Sequence, residues 1–309
     1  MAFLDLSGTL AGLKVLDDGD RDRYKAAVRA GEQTGFGYYW PHLLAQHRPG
    51  SSAVLVAEDG DSLCLFRWRV RDARARLDLY LPPLPPSLPV LARCLERANA
   101  FNGDRSARIV RIDEKDAGTL SEHDRLRLEP RRMQYLYRPE TYLNLSGNNL
   151  RTLRRQVARV EGLSRVEVLP YSEEHAEDCR ALLRRWRDRH RAAHGTEGGA
   201  GTARRALELA GRLREPDMRG EVILVDGRLA GFAFGGEIRP GVGCFFEAKS
   251  DEDVPGLAYF QRRSFLLRLR DFDLVNDGSD AGRPGLRQLK DSLRPARMHA
   301  EYRGIQRRR

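Results

Sequence analysis

The sequence predicts an α/β protein of two similar halves, each with a mixed, mostly antiparallel sheet flanked by helices. Three observations lead to this prediction. Short apolar runs of strand length alternate with segments whose apolar residues recur at helical spacing. Each half contains an Asp-Gly turn between two β-rich runs, near residues 59 and 226. Strands and helices then follow a comparable order in both halves, which predicts a duplication of the fold rather than of the sequence.

The first half is predicted to begin with a helix and to continue mainly as strands. Leu77, Leu79 and Leu81 alternate with polar residues, as in a half-buried strand, whereas Leu88, Leu91 and Leu95 recur at helical spacing. The predicted elements are a helix at 20–30, hairpin strands at 53–57 and 62–70, a strand at 76–81, a helix at 88–100, and strands at 107–113 and 133–139.

The second half is predicted to be richer in helices. Its elements are helices at 148–160, 173–191, 202–214, 257–270 and 284–293, and strands at 165–169, 221–225, 229–235, 242–248, 272–275 and 298–302. This order resembles the acyltransferase fold of the GNAT superfamily, and the first half repeats its skeleton in cruder form. The resemblance implies two tandem GNAT-like domains at 1–146 and 164–309, joined by a basic helix within 147–163.

Composition favours a globular protein with an anionic partner. Hydrophobic residues make up 41% and charged residues 32% of the 309 residues, and the net charge is +10. Such an excess is typical of proteins that bind nucleic acid, nucleotides or anionic surfaces. A GC-rich genome would explain why 49 of the 54 basic residues are arginine, but not the excess over the 44 acidic residues. No apolar run reaches the roughly 18 residues of a membrane span, and no signal peptide is recognisable. We therefore expect a cytoplasmic protein without an integral membrane segment.

The cysteines and histidines give no metal-binding pattern. Four cysteines are far apart, which is typical of buried thiols in a cytosolic protein. His190 and His194 have the i, i+4 spacing of a helical metal site, but the surrounding arginines repel a cation. We expect no bound metal.

Two segments resemble one known family. YLYRPETYLNLSGNNLRTLRRQVARV resembles its tyrosine-bearing strand followed by a basic helix, and NDGSDAGRPGLRQLKDSLRP resembles its second signature. The chain is identified as a member of the phosphatidylglycerol lysyltransferase C-terminal-like family (DUF2156), with tandem GNAT-type domains. Relatives transfer aminoacyl groups from charged tRNA to an amine or hydroxyl acceptor, and similar soluble enzymes act in antibiotic assembly. Because no membrane-spanning portion precedes the domain, we expect a soluble acceptor, in natural-product biosynthesis or a comparable setting.

The segment Asn276–Pro295 is the predicted active site. Asn276 and Asp277 follow a predicted strand, where loop side chains of such sheets face the ligand crevice. Asp280 is a candidate proton acceptor, and Arg287 and Lys290, at i, i+3 on a helix, are candidates for holding phosphate and the acyl oxygen. With the resemblance, we predict Asp280 and Lys290 as catalytic and the other three as substrate-binding. The alternative is a capped turn with surface ion pairs.

A second set of candidates lies between residues 247 and 258. Glu247 and Lys249 share one face of a predicted strand that opens toward the cofactor in the GNAT fold, so they are predicted to bind substrate; an exposed pair without a role is the alternative. Gly256 and Ala258 resemble the remnant of a pyrophosphate loop and are the candidate cofactor-binding residues, but Asp253 stands where coenzyme A-dependent relatives have a basic residue. This favours aminoacyl-tRNA as co-substrate, without a tightly bound cofactor, over acyl-CoA.

Basic residues of the connecting helix are candidates for binding tRNA. Its arginines are Arg151, Arg154, Arg155 and Arg159, and the C-terminal tail Arg307–Arg309 adds three more. Phosphate contacts would dominate such binding, and a solvated helix face is the alternative. Three functions follow: an aminoacyl-tRNA-dependent aminoacyltransferase, an acyl-CoA-dependent N-acyltransferase of the same fold, and a non-catalytic tRNA- or nucleotide-binding protein.

Overall fold

Residues 8–307 are described by a computed structural model, in which the chain divides into two compact units. The first unit contains the residues up to Gln134 together with the C-terminal strand from His299 onward, and the second contains Tyr135–Met298. Arg308 and Arg309 of the predicted basic tail lie outside the described residues. The predicted domain limits at residues 146 and 163 stay a prediction.

The first unit combines short helices with long strands. Its elements in chain order are β1 Lys14–Val15, α1 Arg21–Ala30, α2 Trp40–Leu44, β2 Ser52–Asp59, β3 Ser62–Arg71, β4 Arg74–Leu79, α3 Leu88–Asn102, β5 Arg108–Asp113, α4 Glu114–Ser121 and β6 Leu126–Tyr137. The unit boundary falls inside β6, after Gln134. β1, α2 and α4 were not predicted from the sequence, and only the end of β6 was.

The second unit contains most of the helical residues. Its elements are α5 Arg151–Glu161, β7 Val166–Pro170, α6 Ala176–His194, α7 Ala200–Ala210, β8 Arg219–Val225, β9 Arg228–Arg239, β10 Val242–Ser250, α8 Leu257–Arg268, β11 Leu274–Asn276 and α9 Pro284–Ser292. The last strand, β12 Arg297–Gln306, belongs to the first unit from His299 onward. None of the helices between residues 8 and 307 combines the length and hydropathy of a membrane span.

The sheet of the first unit has the strand order β1-β2-β3-β4-β5-β12-β6. β4 and β5 pair in parallel, whereas the pairs β1–β2, β2–β3, β3–β4 and β5–β12 are antiparallel. β12 comes from the end of the chain and lies between two strands that are neighbours in sequence. A core of aliphatic and aromatic side chains, including Leu55, Trp68, Leu91 and Ile109, forms between this sheet and α3.

The second unit has the strand order β6-β11-β10-β9-β8-β7, in which the end of β6 is the first strand. β10 and β11 pair in parallel, and the other pairs are antiparallel. Its core includes Phe245, Phe265 and Val275, and the apolar stripe of α5 joins it, because Leu153 and Val157 are buried. These features confirm the predicted fold class, a mixed, mostly antiparallel α/β architecture in which sheet and helices pack together.

Candidate active site

The parallel pairing of β10 with β11 ends at Asn276, the first residue of the predicted active-site segment. β10 and β11 pair through three residues, and their last pair is Cys244 opposite Asn276, where β11 ends. β10 runs on to Ser250 and carries an extra residue, Phe246, relative to β9. Such bulges re-aim side chains next to functional sites, and ligand crevices of α/β sheets form at the carboxyl ends of parallel strands. A site is therefore expected at this end.

The turn after β11 has a fixed backbone. Asn276 is the last residue of β11, not the first after it as predicted, and is fully buried. Its Oδ1 accepts a hydrogen bond of 2.8 Å from the amide of Gly278, whose φ of 62° favours glycine. The Gly278 carbonyl accepts from the amide of Tyr135 at 3.0 Å, and the amide of Asp277 donates to the Tyr135 carbonyl at 2.9 Å. The turn is therefore tied to the end of β6.

Asp277, Arg262 and Lys290 form a buried charged cluster, which we call the Asp277 cluster. The Asp277 carboxylate lies 3.1 Å from Arg262 Nε and 3.3 Å from Lys290 Nζ. Asp277 and Lys290 are buried, and only 12% of the Arg262 side chain is exposed. The Arg262 guanidinium also lies 5.1 Å from the centre of the Phe245 ring. Two cations therefore share one carboxylate away from bulk water.

The Lys290 side chain fixes the turn through hydrogen bonds to the backbone carbonyls of the turn. Its ammonium group donates to the carbonyl of Asp277, to that of Gly278 at 3.3 Å and to that of Ser279 at 3.1 Å. Burial lowers the pKa of Lys290 to about 8, because it outweighs the attraction of Asp277. Pro284 at the start of α9 aligns this helix, and its last turn carries Lys290. The lysine thus fixes the turn and has an ammonium group that loses its proton readily.

Asp280 and Arg287 form a more accessible ion pair. Arg287 Nε lies 2.6 Å from Asp280 Oδ2, and the amide of Gly282 donates to Asp280 Oδ1 at 2.8 Å. Burial raises the pKa of Asp280, but the hydrogen bonds from Arg287 and Gly282 lower it more, so the net shift is downward. The Arg287 side chain is 61% exposed. Asp280 is therefore an ionised carboxylate, and its partner Arg287 is exposed enough to pair instead with an anion from solvent.

Glu247 and Lys249 form a separate buried pair. Lys249 Nζ contacts Glu247 Oε1, donates to the Ala248 carbonyl at 3.1 Å and lies 4.5 Å from the centre of the Trp186 ring. Only 6% of the Lys249 side chain and 15% of that of Glu247 are exposed. The pair is thus not a solvated surface ion pair. Lys249 is the polar partner of Glu247 within residues 8–307.

His190 and His194 take part in ring stacking. The Trp186 ring lies 4.8 Å from that of His190 at an interplanar angle of 10°, and the two histidine rings are 4.5 Å apart. Burial and the neighbouring His194 lower the pKa of His190. In the described part of the chain, no group of three or more His, Cys, Asp or Glu residues is placed to hold a metal ion.

The loop before α8 carries negative charge. Arg189 of α6 lies 3.5 Å from Asp251 and also contacts Asp253. Gly256, with a φ of 92°, precedes α8, and Ala258 is the second residue of that helix. A Cβ atom on Gly256 would lie 2.7 Å from the Gln156 carbonyl oxygen of α5. The first turn of α8 is therefore packed against α5, next to acidic residues.

The N-terminal turns of α5 present arginines to solvent. Arg151, Thr152, Arg154, Arg155 and Ala158 line a surface groove of about 670 Å³. Arg154 donates to the carbonyls of the preceding loop, at 2.8 Å in the case of Gly147. In contrast, Arg151, Arg155 and Arg159 have no ion-pair partner among residues 8–307. Three uncompensated guanidinium groups thus lie along one short helix.

The structure groups the predicted site residues into three sets. It brings Asp277 to Lys290 and Asp280 to Arg287 within one loop and helix, and it places Glu247 with Lys249 on β10. Arg262, whose Nε is the cationic atom nearest to the Asp277 carboxylate, was not among the predicted site residues. Its residue type gave no signal, because arginine is abundant throughout the chain and α8 contains several. Only the position of α8 beside β11 distinguishes it.

Comparison with known proteins identifies the family. Residues 47–303 match the family described as "Phosphatidylglycerol lysyltransferase, C-terminal". The chain belongs to this family. Membership confirms the predicted resemblance and assigns the chain to a group of aminoacyl- and acyltransferases. No curated protein matches the sequence.

Solved structures share the whole fold at low sequence identity. A conserved protein of unknown function from Bacteroides thetaiotaomicron has a TM-score of 0.81 at 19% identity, covering 96% of this chain and 99% of that one. The DUF2156 domain of a putative lysylphosphatidylglycerol synthetase from Agrobacterium fabrum has a TM-score of 0.66 at 16% identity, covering 94% of this chain and 93% of that one. L-PGS from Bacillus licheniformis has a TM-score of 0.64 at 15% identity, covering 96% of this chain and 95% of that one. Similarity at this identity establishes the fold alone.

Proposed function

We propose that the protein transfers an aminoacyl group from aminoacyl-tRNA to the amine or hydroxyl group of a soluble acceptor. The observation that carries this proposal is the groove on α5, where Arg151 and Arg155 have no ion-pair partner within residues 8–307 and face solvent. Unpaired, exposed arginines on one helix favour a nucleic acid, because each phosphate contact releases counterions. Family membership adds that the reaction class is acyl transfer.

The loop before α8 favours tRNA over coenzyme A as the donor. In coenzyme A-dependent relatives the amides of this loop and of the following helix hold the pyrophosphate. Here three acidic residues, Asp251, Glu252 and Asp253, outnumber the two arginines of α6 that pair with them, Arg185 and Arg189, so the loop keeps a net negative charge. The Gln156 carbonyl also lies next to Gly256. A pyrophosphate group would meet repulsion from both. We therefore propose that Gly256 and Ala258 are structural residues of this helix rather than a cofactor cradle.

The reaction needs positioning more than chemical activation. The aminoacyl ester of tRNA is already reactive: the acceptor nitrogen or oxygen attacks the ester carbonyl carbon, the bond to the ribose oxygen breaks, and the acceptor's proton must reach the leaving ribose oxygen. We propose that the Asp277 cluster holds the loop in a fixed shape, with Lys290 as its clamp and Asn276 as its anchor. Preorganisation of this kind can supply several kcal/mol of the barrier reduction.

Asp280 is the residue that we propose handles the proton. In the described structure its carboxylate is paired with Arg287. An incoming anionic group of the donor would attract the exposed Arg287 and release Asp280 to accept a hydrogen bond or a proton from the acceptor. Glu247 and Lys249 would hold polar groups of the aminoacyl moiety or the acceptor from the β10 side.

The test is a transfer assay with tRNA charged with labelled amino acids and a panel of amine and hydroxyl acceptors. We expect label in the acceptor, loss of transfer after ribonuclease treatment, and at least a tenfold lower kcat for Asp280→Asn. Asp271→Asn is the matched control, since it removes another Asp–Arg pair of the same unit, with Arg219. Acylation from acetyl-CoA without tRNA would contradict the proposal. Binding of tRNA without any transfer would identify a non-catalytic binding protein.

A further inference from the structure

The hairpin of β3 and β4 in the first unit carries arginines on one face. In the register of this pair Arg67 lies opposite Asp78, Arg69 opposite Arg76, and Arg71 opposite Arg74. Because alternate residues of a strand point to the same face, the arginines at 67, 69, 71, 74 and 76 form one double row. We call this row the arginine ladder. Asp72 and Ala73, with φ of 50° and 59°, form the two-residue turn that joins its two sides.

The opposite face of the hairpin explains why the ladder faces outward. Phe66, Trp68 and Leu77 are buried in the core of the first unit. A shift of one residue in the register would exchange the two faces, so the apolar residues fix the arginines on the other side. Exposure of the ladder side chains rises toward the turn, from 18% for Arg67 to 80% for Arg71.

The ladder has more positive than negative charge. Asp78 lies 3.0 Å from Arg67 and 3.6 Å from Arg108 of β5, Asp104 lies 3.4 Å from Arg76, and Asp72 lies 3.5 Å from Arg71. Three carboxylates thus face six guanidinium groups, the five of the ladder and that of Arg108. Arg69 and Arg74 have no ion-pair partner in the described part of the chain, residues 8–307.

The neighbouring arginines and partial burial destabilise the charged form of Arg69. Burial lowers its pKa, and the charges of Arg67, Arg108 and Arg76 lower it further, against the attraction of Asp78. Like charges directly opposite each other on neighbouring strands destabilise a sheet. Two such pairs in one hairpin, at Arg69–Arg76 and Arg71–Arg74, therefore work against folding unless an anion lies between the guanidinium groups.

We propose that the arginine ladder is an RNA-binding surface that follows the phosphodiester backbone of the tRNA. The identity of this RNA rests on the proposed function. The guanidinium groups repeat along each strand at about 6.7 Å, twice the rise per residue. Those without a carboxylate partner among residues 8–307, Arg69 and Arg74, can each hold a phosphate through two parallel hydrogen bonds. A linear double row of forks fits a nucleic acid strand, with phosphates between opposed arginines that relieve their repulsion.

An anionic lipid surface fits the ladder less well. Proteins that lie on membranes combine basic residues with exposed apolar side chains that enter the lipid. The large apolar residues that are strongly exposed among those the structure describes are Met133, Leu143, Leu163 and Val168, and none belongs to β3 or β4. The hairpin thus offers charge without an apolar anchor.

The experiment measures binding of uncharged tRNA over a range of salt concentrations. We expect the double variant Arg69→Gln/Arg74→Gln to bind about 5- to 20-fold more weakly near physiological salt. The slope of log Kobs against log salt should fall by about 1 to 2, as expected for two lost phosphate contacts. Arg69→Lys/Arg74→Lys keeps the charges and should restore the slope. The thermal midpoint of the glutamine variant should be equal to or above that of wild type, because repulsion is removed.

Arg29→Gln is the matched control, because Arg29 is an exposed arginine of α1 without an ion-pair partner in residues 8–307. An unchanged salt slope in the double variant, or an equal effect of Arg29→Gln, would overturn the inference. Loss of binding to phosphatidylglycerol vesicles with unchanged tRNA binding would overturn it in favour of a lipid surface. Weaker tRNA binding in a protein that transfers no aminoacyl group would support the ladder and refute the proposed function. Normal tRNA-dependent transfer, with tRNA binding unchanged in the double variant, would support the proposed function and refute the ladder as a binding surface.

Discussion

The Asp277 cluster of the second unit and the arginine ladder of the first unit carry positive charge in opposite ways. In the cluster, Arg262 and Lys290 are buried around one carboxylate, and three backbone carbonyls accept hydrogen bonds from the lysine ammonium group. In the ladder, arginines stand opposite arginines, and Arg69 has no ion-pair partner among residues 8–307. The cations of the Asp277 cluster thus have partners within the chain, whereas some cations of the arginine ladder have none among the described residues.

This difference indicates different uses of the two regions. A buried charge is tolerated only when its partners are fixed, so the cluster holds a loop in one geometry. An unsatisfied charge at the surface costs little in water and is available to a partner. Substitutions in the cluster should therefore reduce stability and chemistry together, whereas substitutions in the ladder should affect binding and leave folding unharmed.

The largest effect is expected for Lys290→Met. The variant keeps side-chain bulk but leaves the carbonyls of residues 277–279 without their donor. Breaking a buried ion pair of this kind costs about 3–5 kcal/mol of unfolding free energy. We expect that loss in urea denaturation, with a transfer rate reduced by about 100-fold or more.

Lys115→Met is the matched control, since Lys115 pairs with Glu32 at 2.8 Å on the surface of the first unit. An exposed pair contributes about 0–1 kcal/mol. Equal losses in the two variants would show that the burial of Lys290 has no special importance.

A pH dependence should separate the buried lysine from all exposed ones. Burial lowers the pKa of Lys290 to about 8 in the folded protein, whereas an unfolded lysine titrates near 10.4. Between these values the unfolded state binds more protons, so the contribution of Lys290 to stability rises with pH. The difference in unfolding free energy between wild type and Lys290→Met should grow by up to about 3 kcal/mol from pH 8 to 10.5. A constant difference would exclude the lowered pKa.

Glu247→Gln should have an intermediate effect. The change leaves the buried ammonium group of Lys249 without its carboxylate, next to Trp186. We expect a loss of about 1–3 kcal/mol of stability and, in the transfer assay, a KM for donor or acceptor raised by about tenfold. Glu177→Gln, which removes an exposed pair with Arg184, serves as control. An unchanged KM would assign the Glu247 pair a structural role only.

The smallest effect is expected for Arg69→Gln alone, and its sign is opposite. Removal of one of two arginines that stand opposite each other should raise the unfolding free energy by about 0.2–1 kcal/mol. Thermal unfolding at low salt measures it, because salt screens the repulsion. A clear destabilisation would mean that Arg69 contributes packing that outweighs its charge.

Local signals explain the parts of the fold that the sequence analysis predicted. The Asp-Gly turns predicted both hairpins, and the structure has Gly60, Asp226 and Gly227 at positive φ in those turns. Leu153 and Val157 predicted the buried side of α5. In contrast, the first part of β6 reads as a charged loop, because it consists mainly of arginine, glutamate and proline. Its strand conformation depends on pairing with β12, which is far away in sequence.

Within the candidate site, only contacts between residues close together in sequence could be anticipated. The loop from Asn276 to Asp280 and the helix with Lys290 lie close together in sequence, so their contacts could be anticipated from one segment. Arg262 lies on a different helix, and its contact with Asp277 depends on how α8 packs beside β11. The burial that lowers the pKa of Lys290 likewise depends on the surrounding sheet and helices.

The sequence by itself determined most of the helices and strands, the two hairpins, the excess of arginine and the family, because these follow from periodicity, turn residues, composition and a contiguous motif. The tertiary structure decided which charges are buried together and which remain opposed at the surface. The physical reason is that the free energy of a charge depends on its distance to other charges and to water. Those distances are set by strand register and helix packing, as Arg262 beside Asp277 and Arg69 opposite Arg76 show.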